Sequence, residues 1–119
     1  MRKTVQPRKQ RLRAYNAPMH TRGKRIASPL SDELRKKHGK RSLPVRKGDK
    51  VEIMRGDRKG HKEVVESIDR KYYKVYVKGL THKNSKGEDK PIPINASNLR
   101  IIELGAVEDK RRNEMIARK

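Results

Sequence analysis

Between residues 50 and 77 the apolar side chains keep a two-residue period: Val51 and Ile53, then Val65 through Ile68, then Tyr73, Val75 and Val77. That period sends alternate side chains to opposite faces, so residues 50–55, 62–68 and 72–79 predict three strands with one buried side each. Residues 84–87, "NSKG", predict a hairpin turn. The Pro-interrupted stretch that follows can only be an edge strand, because proline has no N–H for a central ladder. Residues 98–104, "NLRIIEL", supply a fifth strand. Five short strands joined by tight turns favour a small barrel.

A chain of 119 residues with 31% hydrophobic content supports one small core and no second packed domain. Residues 48–107 hold 21 apolar residues in 60, against 13 in residues 1–47, so the core is expected in the later segment. The charge is distributed the opposite way. Residues 1–47 carry 16 Lys or Arg against 2 acids, within a total of 34 against 14 and a net charge of +20. Such an excess repels itself without a counter-charge, and a polyanion is the partner expected. No 18-residue apolar run, no long amphipathic face and no signal-type apolar segment follows Met1, so membrane insertion and secretion are not expected. With no cysteine there are no disulfides, thiolate zinc sites or thiol nucleophiles.

Residues 1–13, "MRKTVQPRKQRLR", carry six cations, no acid and no useful apolar period, and read as extended or disordered without a partner. Two short helices are expected next. Asn16 and Pro18 punctuate the first; Ser28 and Pro29 open the second, with Gly39 just past its end. Asp32 and Glu33 in its first turn, and Arg35, Lys36 and Lys37 in its last, suit the helix dipole, while Leu30 and Leu34 share a docking face. At the other terminus, Glu108 and Arg112 stand four residues apart and predict a marginal helix.

The loop "RGDRKGHKEV" joins the first two predicted strands. Gly56 and Gly60 lie where the chain must reverse, since glycine takes positive φ without a Cβ clash and lets another backbone come close. From Val45 on, "VRKGDKVEIMRGDRKGHKEVVESI" resembles the KOW motif: alternating apolar residues, two glycines four positions apart, and Lys59 before the second. Glu63 stands where that motif often has glycine. Together with "RLRAYNAPMHTRGKRIASPLSDELRKKHGKRSLPVRKGD", "GEDKPIPINASNL" and "EDKRRNEMIARK", nearly the whole chain resembles the large-subunit ribosomal proteins numbered twenty-four in the universal scheme, in their archaeal and eukaryotic form.

The resemblance implies a mainly β fold: a small SH3-like (KOW) barrel at residues 45–105, a basic N-terminal arm with short helices at 1–44, and a C-terminal helical tail at 106–119. It implies a structural constituent of the large ribosomal subunit in the cytoplasm, which binds the 5′ domain of large-subunit rRNA early in assembly, sits near the peptide tunnel exit and touches neighbouring ribosomal proteins. No homo-oligomer and no cofactor are expected. The rival reading is a KOW-type transcription elongation factor that binds nascent RNA and polymerase.

The residues expected on rRNA are Arg8, Lys9, Arg11, Arg13, Tyr15, His20, Arg22, Lys24, Arg25, Lys40, Arg41, Arg46 and Lys47 in the arm, Arg55, Arg58, Lys59 and His61 at the loop, and Lys83 and Lys86 at the second hairpin. Phosphate and shape should dominate, because A-form grooves hide base edges. Tyr15 is the stacking candidate, whereas Tyr72, Tyr73 and Tyr76 read as packing at strand spacing. Other chemistry finds no set of residues. His20, His38, His61 and His82 have no metal-ligand spacing. Asp49 and Glu52 lie three apart on a strand, hence on opposite faces, and read as salt-bridging groups rather than an acid/base pair. "GDRKG" lacks the Lys-Ser/Thr and helix of a P-loop, and the RGD triplet is a chance match in a basic, cysteine-free chain. An enzyme is not expected.

Overall fold

The computed structural model describes residues 3–105 and 109–118. In chain order they form α1 (Pro7–Asn16), α2 (Met19–Arg25), β1 (Ala27–Pro29), α3 (Asp32–His38), β2 (Ser42–Pro44), β3 (Lys50–Ile53), β4 (Lys62–Asp69), β5 (Lys74–Val77), β6 (Thr81–Lys83), β7 (Asp89–Pro91), β8 (Leu99–Glu103) and α4 (Lys110–Ala117), with a 3-10 turn at Ala96–Asn98. The two-residue alternation becomes the inner face of an antiparallel sheet ordered β5-β4-β3-β8. Val51, Ile53, Val65, Val75, Val77, Leu99 and Ile101 on that face are each at most 2% exposed. Burying each such side chain is worth about 1.5–3 kcal/mol before entropy is counted, so this face anchors the domain.

The sheet does not close into a barrel, and the mainly β expectation needs correction: four helices accompany three separate antiparallel sheets among the described residues. On its outer side β5 keeps a single bridge, in which the N–H groups of Val75 and Ile94 each donate to the other's carbonyl at 2.8 and 3.0 Å. Pro91 and Pro93, without an N–H, stand on either side of Ile92 just before that bridge, so no ladder can grow along it. β7 instead pairs with β6 as a two-stranded ribbon whose residues are all exposed.

The N-terminal segment differs from expectation twice. Residues 7–13, read as extended or disordered, belong to α1, which starts with Pro7 in its first turn and buries no residue. Proline is pre-set for that position, and the Arg, Lys, Gln, Leu and Ala that follow are strong helix formers, so local propensity prevails where no apolar period exists. The second difference is that the core is shared. Ile26, Leu30, Leu43 and Val45 are at most 4% exposed and join the sheet's cluster. β1 and β2 carry them: Val45 N–H donates to the Ile26 carbonyl at 2.9 Å, and the buried Ser28 hydroxyl donates to the Ala96 carbonyl at 2.6 Å.

α3 matches the sequence reading except at its start. Its N-cap is Ser31, not Ser28, and Ser31 Oγ accepts from Leu34 N–H at 3.5 Å. Gly39 closes the helix at φ 67°, and Leu34 packs against the core beside buried Leu30.

α4 is held in place by charge. Arg112 is 1% exposed, and its Nη1 and Nη2 donate to Oδ1 and Oδ2 of Asp49 at 2.6 and 2.5 Å. The expected partner Glu108 lies outside the described residues. Asp49, 0% exposed, also accepts from the backbone N–H groups of Gly105 at 2.8 Å and Arg46 at 3.0 Å. Asp109 caps the helix by accepting from Arg112 N–H, and Ile116 inserts its side chain into the core. No helix among the described residues is long and apolar enough to cross a membrane.

Candidate nucleic-acid interface

The glycine-bracketed loop is a compact turn that closes on its own strand. Ile53 N–H donates to the His61 carbonyl at 3.0 Å, and Gly60 N–H donates back to the Ile53 carbonyl at 2.8 Å. Gly56 and Gly60 sit at φ 94° and 89°, a region that favours glycine, and a Cβ on either would meet nothing within 4 Å. The glycines therefore serve backbone direction, and the space above them is open. Arg55, Arg58 and Lys59 are exposed around this turn, with His61 half-buried at its closing end.

A groove of 370 Å³ runs from the loop to the neighbouring edge, with Arg55, Gly56 and Arg58 on one side and Lys74, Asn95 and Asn98 on the other. Lys74 Nζ donates to Asn95 Oδ1 at 2.6 Å. Lys74 and Asn95 were missed by sequence reasoning, because a polar residue on an alternating strand carries no sign of what its solvent face adjoins.

The second hairpin matches its predicted turn. Asn84 Oδ1 accepts from Lys86 and Glu88 N–H, both at 3.0 Å, and Gly87 takes φ 79°. Lys83 and Lys86 are exposed on this ribbon.

In the arm, Arg8, Lys9, Arg11 and Arg13 are exposed on α1, and His20, Lys24 and Arg25 on α2. Arg41, Arg46 and Lys47 are exposed around β2, with Lys40 half-buried. Arg46 and Arg22, both expected arm cations, are engaged within the chain. Arg46 pairs with Asp109. Arg22 braces the arm through three backbone carbonyls: its Nε donates to Ala17 at 2.7 Å, Nη2 to Tyr15 at 2.5 Å, and Nη1 to Lys71 at 2.9 Å across 49 residues of sequence. The Tyr73 hydroxyl donates to the Ala14 carbonyl, and the Arg22 guanidinium carbon stands 5.5 Å from the Tyr73 ring centre. Tyr73 thus does pack, at φ 58° in the turn before β5 rather than within a strand.

The carboxylates expected to salt-bridge do so. Besides Asp49 on Arg112, Glu52 Oε2 accepts from Arg100 Nη2 at 2.6 Å across β3 and β8. The Arg100 hydrogen bond, aided by its charge and that of Lys62, holds the Glu52 carboxyl below the ordinary glutamate range, and Glu52 raises Arg100 in return. These acids are paired within the domain, and the arm, loop and ribbon form a surface rich in Lys and Arg. Such a surface can neutralise phosphates at many points without one deep cleft.

A family model described as the eukaryotic ribosomal proteins L26 and their archaeal counterparts numbered twenty-four matches residues 4–119. A large ribosomal subunit protein uL24 of Korarchaeum cryptofilum is 44% identical over 117 residues, covering 98% of this chain and 88% of its own length. Another uL24, of Haloquadratum walsbyi, is 42% identical over 106 residues, with 89% of each chain covered. With a match across nearly its whole length, this chain belongs to the uL24 family of ribosomal proteins, which joins the archaeal proteins to the eukaryotic L26.

Proposed function

We propose that the chain binds large-subunit rRNA, within the 5′ domain, as a structural and assembly component near the peptide tunnel exit of the cytoplasmic ribosome. The observation that carries this reading is a net charge of +20 together with three exposed basic elements around one small core, in a chain of a ribosomal family. The sheet module of residues 45–105 docks first, with Arg55, Arg58 and Lys59 on phosphates and the open space above Gly56 and Gly60 admitting the RNA backbone. The arm of residues 1–44 follows the RNA surface through Arg8, Lys9, Arg11, Lys24 and Arg25, while Lys83 and Lys86 reach a separate strand. Neighbouring ribosomal proteins complete the surroundings. The transcription-factor alternative finds no support in the relatives' names. Titration of the purified chain against a transcript of the rRNA 5′ domain and an unrelated structured RNA tests the reading. Preference for the 5′ domain with a steep salt dependence is expected, and equal affinity for both would refute it.

A further inference from the structure

Next to the braced arm lies an open pocket of 620 Å³ lined by Tyr15, Met19, Arg22, Lys71, Tyr72 and Tyr73. Tyr15, Met19 and Tyr72 are 78%, 51% and 62% exposed, so three of the six exposed large apolar side chains among the described residues gather at one place. A gathering of that kind on a strongly charged domain marks a contact site. It is also a built site. The hydrogen bonds of Arg22 to Tyr15 and Lys71, with that of Tyr73 to Ala14, fix the end of α1 against the turn between β4 and β5. The two exposed rings, 57 residues apart in sequence, are thereby held in one pocket before any ligand arrives.

We propose that this pocket accepts an unpaired nucleobase of RNA, stacked on Tyr15 or Tyr72, with the adjoining phosphate on Lys71. The proposal rests on the rRNA-binding reading above and adds a base-contacting site to its phosphate contacts. The lining contains two cations and no acid, and Lys71 Nζ stands 5.3 Å from the Tyr72 ring centre. Flat π faces beside cations suit a nucleotide, whose base offers a ring and whose phosphate offers the counter-charge. An apolar peptide would offer Lys71 no counter-charge.

The test uses the full chain, its Tyr15→Ala, Tyr72→Ala, Tyr15→Phe and Tyr72→Phe variants, and a transcript of an archaeal large-subunit rRNA 5′ domain. At least one Ala variant should lose about five- to a hundredfold in affinity, the range for one stacked base, while its Phe counterpart keeps binding. The slope of log K against log salt should stay at the wild-type value, because stacking releases no counterions. Melting temperatures should also stay unchanged, since both side chains are exposed. Wild-type binding with unaltered affinity in both Ala variants would overturn the pocket and leave the rRNA reading standing, whereas absence of wild-type binding would overturn both. An affinity loss matched by lower melting temperature would make the rings structural. Normal RNA affinity with impaired incorporation into reconstituted subunits would assign the pocket to a protein segment. Either result refutes the nucleobase site.

Discussion

Asp49 is fully buried and accepts hydrogen bonds from groups of its own chain. Its carboxylate lies beneath α4 with Arg112 and two backbone N–H groups as partners, so removing either charge strands the other in the interior. Arg112→Met should therefore destabilise by roughly 3–5 kcal/mol in urea unfolding, the cost of breaking a buried pair from one side. Glu52 is the contrasting residue. Its carboxyl is held below the ordinary range by Arg100, so the unfolded chain binds its proton more tightly than the folded one. Stability from this pair is complete above the unfolded pKa and is lost as pH falls through the folded pKa. The difference in urea midpoint between wild type and Glu52→Gln should accordingly shrink on acidification from pH 7 towards 3; a difference independent of pH would contradict it. Among the glycines, Gly60→Val should cost about 1–3 kcal/mol, entirely through its backbone, because its Cβ would meet no atom. Gly105→Ala should fail differently, since a Cβ there would overlap the carbonyl of Gly48. Thermal melts of both should show Gly60→Asn recovering part of the first loss, while no side chain rescues the second.

The elements show which signals are local. α3 was legible because an acidic first turn, a basic last turn and Gly39 all lie within eight residues of sequence, although its cap is Ser31 and not the expected Ser28. β3, β5 and β8 were legible because alternation reports directly on one buried face, whereas β4 buries only Val65 and shifts register after it. β1 and β2 were not: each has three residues and ends in proline, and they form because Ile26, Leu30, Leu43 and Val45 find a core made elsewhere. The open sheet was equally hidden, since closure depends on which edges meet, and Ile94 forms only one bridge. For the interface, composition disclosed the basic arm, and the loop glycines disclosed a turn. The groove between the loop and Lys74 could not be read, nor could the placing of Tyr72 beside Tyr15, because both arise from long-range packing. The element most dependent on such packing is α4. Truncation before Lys110 removes Arg112 and Ile116 together, leaving Asp49 without its cation and a gap beside the core. The truncated chain should unfold at a clearly lower urea concentration than a chain carrying Arg111→Ala, an exposed position on the same helix.

At the scale of the whole molecule, the charge and the core divide the work of binding. The core reaches back to Ile26, so a deletion that probes the arm without unfolding the domain must stop well before it. Removing residues 1–13 takes away Arg2, Lys3, Arg8, Lys9, Arg11 and Arg13, six cations and no acid, and leaves Tyr15 and the Arg22 brace in place. If half of the six meet phosphate, the slope of log K against log salt should become shallower by about two to three units, at roughly 0.7–0.9 per contact. Arg58→Ala combined with Lys59→Ala removes two cations and should change the slope by less than about two units. Discrimination between RNAs should follow the opposite order. α1 buries no residue of its own, so it can adapt to many phosphate tracks. The loop is fixed by hydrogen bonds at both ends and presents its cations in one geometry. The deletion should therefore weaken binding to the rRNA 5′ domain and to an unrelated structured RNA by similar factors, while the loop variant should lose more on the cognate RNA. Titrations of both variants on both RNAs at several salt concentrations decide the matter: a larger slope change in the loop variant would show that the loop carries more of the phosphate contacts, and loss of discrimination on arm deletion would show that the arm selects the site.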